Sequence, residues 1–188
     1  MSIPLPKENY KQFYGTSGLA TSEWGPHAWI FLFASIHGGY PVKIDPNNKD
    51  HINIRKHYKH MLLSLQFTMP CIFCRNSYKN FIKETPIDNF LSGRIQLMYW
   101  LYIIKDKVNK KLISQQIDAY NKSKLQLKSD YHTGLISKEK YYSEVQKCRN
   151  NTLKTKSSPP FIDVLERYEK MRASCSTIYK SCVLPKKK

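Results

Sequence analysis

The chain has 188 residues, 41% hydrophobic and 13% aromatic, and carries a formal net charge of +17. That is one domain with appendages, apolar enough to bury a core, which excludes global disorder. No stretch reaches the roughly 18 apolar residues of a membrane span, Pro4, Pro6, Lys7 and Glu8 leave no room for the apolar core of a secretory leader, and there is no Gly-x-Gly-x-x-Gly or P-loop pattern for a nucleotide.

Residues 1–22 read as a flexible arm, with Pro4 and Pro6 followed by a Gly-, Ser- and Thr-rich stretch from Gly15 to Ser22. A first helix is expected from Glu23 to Ile36 or His37, ended by Gly38, Gly39 and Pro41. It is apolar most of the way round, as a central helix would be. His37 reads as a capping or surface residue at its end.

After the Pro46-Asn47-Asn48 loop, a second helix runs from Asp50 to Phe67, with Ile54, Tyr58, Met61, Leu62 and Leu65 as its stripe. Thr68, Met69 and Pro70 interrupt it, and a third helix begins at Cys71. A fourth runs from Ser92 to Leu112, with Leu97, Met98, Leu101, Ile104, Val108 and Leu112 inward. Beyond Gln115 the chain turns polar. It should be helical in parts, broken at Asp130–Gly134, restarted by a Ser137 cap, and joined by a 154–160 linker to an amphipathic helix over Phe161–Ala173. No strand is expected. The fold class is therefore all-α: a compact bundle of four to five helices over residues 23–115, with a basic, partly helical extension over 116–188.

Lysines outnumber arginines 25 to 6. Base-edge readers lean on arginine, so any nucleic-acid contact should be non-specific at most. With no leader or membrane span, a cytoplasmic location is expected. There the five cysteines, Cys71, Cys74, Cys148, Cys175 and Cys182, should be mostly reduced, and Cys-x-x-Cys reads as redox or metal chemistry.

Pro70 directs the chain into a helix start, which puts Cys71 at the N-cap and Cys74 three residues on, facing the same way. The helix's free N–H groups and positive dipole end favour a thiolate there, and Arg75 and Lys79 add positive potential. Such a pair can cycle between dithiol and disulfide. A thioredoxin-like site needs a preceding strand, which is absent. A zinc site is the rival: His57 and His60 with Cys71 and Cys74 make a Cys2His2 set, giving a basic zinc-binding interaction module for nucleic acid or protein.

Trp24-Gly25-Pro26-His27-Ala28-Trp29, Tyr40-Pro41, Pro70-Cys71-Ile72-Phe73-Cys74, and Trp100 followed by Lys105-Asp106-Lys107-Val108-Asn109-Lys110-Lys111-Leu112 resemble, in order and spacing, the Erv/ALR family of FAD-linked sulfhydryl oxidases. The likeness covers residues 23–115 and is closest to members encoded by large DNA viruses. It implies a helical bundle, usually a homodimer, that holds FAD in its mouth and oxidises protein dithiols, with a thioredoxin-like carrier as one such partner. O2 is the final acceptor and H2O2 is released.

The resemblance assigns Cys71 to exchange with substrate and Cys74 to lie against the flavin. It assigns cofactor contact to Trp24, Gly25, Trp29, Phe33, Tyr40, Trp100, Lys105, Val108, Asn109 and Lys111. Phe33 stands where the family has His, and Lys105-Asp106 where it has His-Asn. Lys105 lies on the inward stripe, where a lysine needs an anion such as a pyrophosphate, unless it snorkels from the edge. The family also often carries a shuttle dithiol outside the core, and Cys175 and Cys182 fit that part unless they are two unrelated free thiols.

Overall fold

A computed structural model of the protein describes residues 15–16, 18–176 and 181–183. The first 14 residues and the Pro185–Lys188 tail, expected as arm and basic end, lie outside them.

The first helix, α1, spans Thr21–Gly39. Pro26 lies inside it and leaves the Ser22 carbonyl without its helical donor, but Ser22 is exposed and water can serve it. α2 spans Lys49–Thr68, and the Asn48 side chain caps it by accepting from the Asp50 and His51 N–H groups. It stops before Pro70 because the residue ahead of a proline is driven out of the α region, and Met69 has ψ 139°. α3 spans Ile72–Glu84 and a single 3-10 turn spans Ile87–Phe90.

These elements and the first part of a fourth helix, α4 (Arg94–His132), enclose one core. Phe33, Ile36, Tyr40, Leu62, Leu97, Met98, Trp100, Leu101 and Ile104 are its most buried members. The all-α expectation holds for this bundle. Two features differ from it. α4 runs unbroken over Arg94–His132, past residue 115 where the sequence suggests a boundary. Its buried residues stop at Ile104, so the inward stripe fades while the helix goes on. No proline or glycine interrupts it before Gly134, whose positive φ of 76° takes the left-handed turn that ends the helix. There the Leu135 N–H returns to the Asp130 carbonyl at 2.9 Å.

α5, Lys138–Thr152, folds back along α4, capped by the Ser137 hydroxyl as expected. The base of this helical hairpin is pinned by Gln116. Its Nε2 donates to Thr155 Oγ1 at 2.8 Å, and its Oε1 accepts from the Lys154 and Thr155 N–H groups at 3.1 and 2.9 Å.

The linker and α6, Phe161–Glu169, then close against α1 and α4. Tyr168 stacks on Phe33 with ring centroids 5.3 Å apart, and Phe161 packs on Tyr99 and Tyr102 at 5.0 and 5.4 Å. His37, expected to cap the helix or lie at the surface, is 7% exposed, because α6 covers it. Its Nε2 lies 2.7 Å from Glu169 Oε2.

The second difference is two short antiparallel strands where none was expected, β1 Ser174–Ser176 and β2 Ser181–Val183. Three-residue strands are too short to show an alternating pattern in sequence. Their register sets Cys175 opposite Cys182, and Cys182 is disulfide-bonded.

Candidate active site

α3 opens on Cys71, whose sulfur is the helix cap: it accepts the Cys74 N–H at 3.3 Å. Both thiols are free and half-buried, with Cys74 the more deeply set. Burial works against a thiolate on Cys71. Hydrogen bonds from the Cys74 thiol and N–H, the Thr21 hydroxyl and the Phe73 N–H outweigh it and hold its pKa below that of an ordinary thiol. Cys74 goes the other way. Burial and the neighbouring Cys71 raise it, against opposing pulls from the Thr21 hydroxyl and the Lys111 ammonium. The two sulfurs are thus unequal, with the outer one the readier thiolate.

Arg75, expected to add potential, turns away and donates to the Phe67 carbonyl at 3.2 Å. The cation that acts on Cys74 is Lys111, from α4, which also donates to the Ser77 hydroxyl.

The pair opens on a cavity of about 570 Å3 between α1, α2, α3 and α4. Its walls are apolar and aromatic, with Trp24, Trp29, Leu65, Met69, Phe81 and Leu112 among them. A few polar groups converge on it: Thr21, Ser77, Lys111 and Gln115. This is the composition of a small-molecule site for a large, flat ligand.

Of the residues expected to hold a cofactor, Trp24, Gly25, Trp29, Cys74, Val108 and Lys111 line this cavity. Phe33 and Lys105 line a smaller one of about 140 Å3, together with Ser158, Asp163, Arg167 and Tyr168. Asn109 donates to the Ser158 hydroxyl at 2.9 Å. Tyr40 and Trp100 line neither pocket. Both are fully buried in the core, with their polar tips satisfied by the Leu91 and Thr85 carbonyls at 2.8 and 2.9 Å. Their burial and hydrogen bonds are those of core residues. The rival zinc set of His57, His60, Cys71 and Cys74 does not converge. His57 and His60 are exposed, and among the described residues no three His, Cys, Asp or Glu side chains form a metal-sized group.

Sequence reasoning missed Thr21, Ser77 and the packing of the expected α6 helix over Phe33 and His37. Ser77 lies three residues after Cys74, so its shared helix face was a usable signal. Thr21 and Tyr168 reach their positions only through tertiary packing.

A family model described as Erv1 / Alr matches residues 26–132. The chain belongs to the Erv1/Alr family. None of the curated proteins matches it. Erv1/Alr proteins are FAD-linked sulfhydryl oxidases, and the residues present suit that cofactor. The main cavity offers aromatic walls for a planar ring system beside a dithiol, and the half-buried Lys105, at the separate smaller cavity, forms no salt bridge among the described residues, its neighbour Asp106 being paired with Lys110. The Erv1/Alr match extends past Gln115 to residue 132, the end of α4.

Proposed function

We propose that this Erv1/Alr protein is a thiol oxidase that makes disulfides in protein substrates through Cys71 and Cys74. The observation that carries the reading is the placement of a helix-capping dithiol at the edge of an aromatic cavity. With the pair oxidised, a substrate thiolate attacks the Cys71 sulfur. The Cys71–Cys74 bond breaks, and its electron pair leaves on Cys74. A second substrate thiolate then attacks the mixed disulfide, so the substrate leaves oxidised and Cys71 leaves as a thiolate. Its depressed pKa makes it a good leaving group.

A bound FAD would supply the two-electron acceptor for the dithiol, with O2 as the final acceptor and H2O2 as the product. Trp24, Gly25, Trp29, Val108 and Lys111 would hold its ring end against Cys74. Lys105 would meet its phosphates from the separate smaller cavity that α6 walls, where Phe33 is buried under Tyr168 and Asn109 bonds Ser158. Ile72 and Phe73, between the two cysteines in sequence, are 52% and 77% exposed, and Phe67 at the end of α2 is 69% exposed, apolar surface suited to a polypeptide chain. Cys175 and Cys182 are the proposed shuttle between that substrate and Cys71.

The purified protein should be yellow, with flavin absorbance near about 450 nm, and should consume oxygen with a small dithiol. Cys71→Ser and Cys74→Ser should both stay yellow and lose turnover. A colourless parent, or full turnover in either variant, overturns the reading.

A further inference from the structure

The segment in front of α1 is tied to the dithiol turn. The Leu19 N–H donates to the Pro70 carbonyl at 3.1 Å, and Trp24 Nε1 donates to the Leu19 carbonyl at 3.3 Å. Gly18 makes this approach possible, since a Cβ there would lie 2.3 Å from the Pro70 oxygen. The short strap delivers Thr21, the first residue of α1, to the cavity wall. Thr21 Oγ1 then lies 3.5 Å from Cys74 Sγ, across 53 residues of sequence.

We propose that Thr21 is a catalytic residue: its hydroxyl donates to the Cys74 sulfur and stabilises it as a thiolate, and the Gly18–Ala20 strap holds it in position. This rests on the redox role of the Cys71–Cys74 pair. When that disulfide opens, negative charge arrives on the sulfur set deeper in an apolar cavity, where a thiolate most needs a donor. The titratable and charged groups around Cys74 are few. α3 supplies Cys71 at its cap and Tyr78, whose hydroxyl donates to the Leu62 carbonyl, while its Arg75 is engaged with Phe67. α4 supplies Lys111, itself bonded to Ser77. α2 brings only Leu65 and Thr68 to the cavity, its cap residue Met69 is apolar, and α1 brings no charged side chain there. Thr21 is therefore the neutral hydroxyl in contact with the Cys74 sulfur; it also reaches Cys71, and its single proton goes to Cys74 when the charge arrives there.

The test follows Cys74 in the full-length protein carrying Cys71→Ser. Iodoacetamide alkylation is measured against pH and resolved by peptide mass. Thr21→Val, of similar shape, should lower the acid dissociation constant of the Cys74 thiol by about three- to tenfold, the size of one net hydrogen bond, and move the alkylation midpoint up. Thr21→Ser should restore the parental midpoint. Gly18→Val, which pushes the strap off Pro70, should produce the valine shift without altering Thr21. An unchanged midpoint in Thr21→Val, or equal shifts in the valine and serine variants, overturns the role of the hydroxyl. An unchanged midpoint in Gly18→Val overturns the role of the strap. These outcomes are separate from failure of the oxidase reading, which would appear as a parent protein that consumes no oxygen.

Discussion

Three cationic side chains that look alike on one helix have different surroundings. Lys110 is exposed and pairs with Asp106 at 2.8 Å, one helical turn back. Lys111 reaches the thiol cavity and Ser77. Lys105 is half-buried, and burial first, then the like charge of Arg167, pull its pKa down. A cation in that position gains most from an anionic ligand. On the proposed reading that ligand is cofactor phosphate, and a charge-assisted contact is worth about 1.5–3 kcal/mol. Lys105→Met keeps the length of the stem and removes the charge. It should weaken FAD retention by roughly ten- to 150-fold, measured by dialysis titration, while Lys105→His keeps the flavin bound. Retention at the parental level would show that Lys105 merely snorkels from the edge of its stripe.

At the scale of elements, the hairpin of distal α4 and α5 is separable from the bundle. α5 has no buried residue, and α4 has none beyond Ile104. The two chain segments at its base already meet through Gln116, Lys154 and Thr155. Replacing residues 120–150 by a short Gly/Ser linker should therefore leave the dithiol cavity and α6 in place. The expected result is a yellow protein whose small-dithiol turnover stays within about twofold of the parent, since loop length alone costs little. Loss of flavin on excision would mean that the hairpin supports the cavity. α6 is the opposite case. Its tip holds Phe33 through Tyr168 and His37 through Glu169, whose carboxyl Arg172 and His37 pull down to about 2.

For the whole molecule, the C-terminal cysteine pair lies just beyond this latch. β1 and β2 follow α6 with only Lys170–Ala173 between them. Truncation after Ala173 removes the pair and keeps α6. Small-dithiol oxidation should continue, whereas oxidation of a reduced protein substrate should fall at least about tenfold if the pair passes electrons inward. Equal survival of both activities would remove the shuttle from the mechanism. Truncation before Phe161 takes away the α6 wall as well and should cost flavin retention.

Much of this protein was legible before its tertiary structure, because much of it is local. Helix starts follow from caps within three residues, as at Asn48, Cys71 and Ser137, and helix ends from proline and glycine, as at Pro70 and Gly134. The dithiol at the head of α3 belongs to this class, so its chemistry could be read from six consecutive residues. Periodicity also marks which face of a helix is inward, but not what that face meets. Trp29 and Trp100 have the same signature, yet one lines the cavity and the other donates to Thr85 inside the core. Only packing decides that difference, as it decides that His37 is covered by α6 and that Thr21 meets Cys74. Such contacts join residues more than fifty positions apart. Their partners are chosen by the volume and shape of the whole core, which no local pattern encodes.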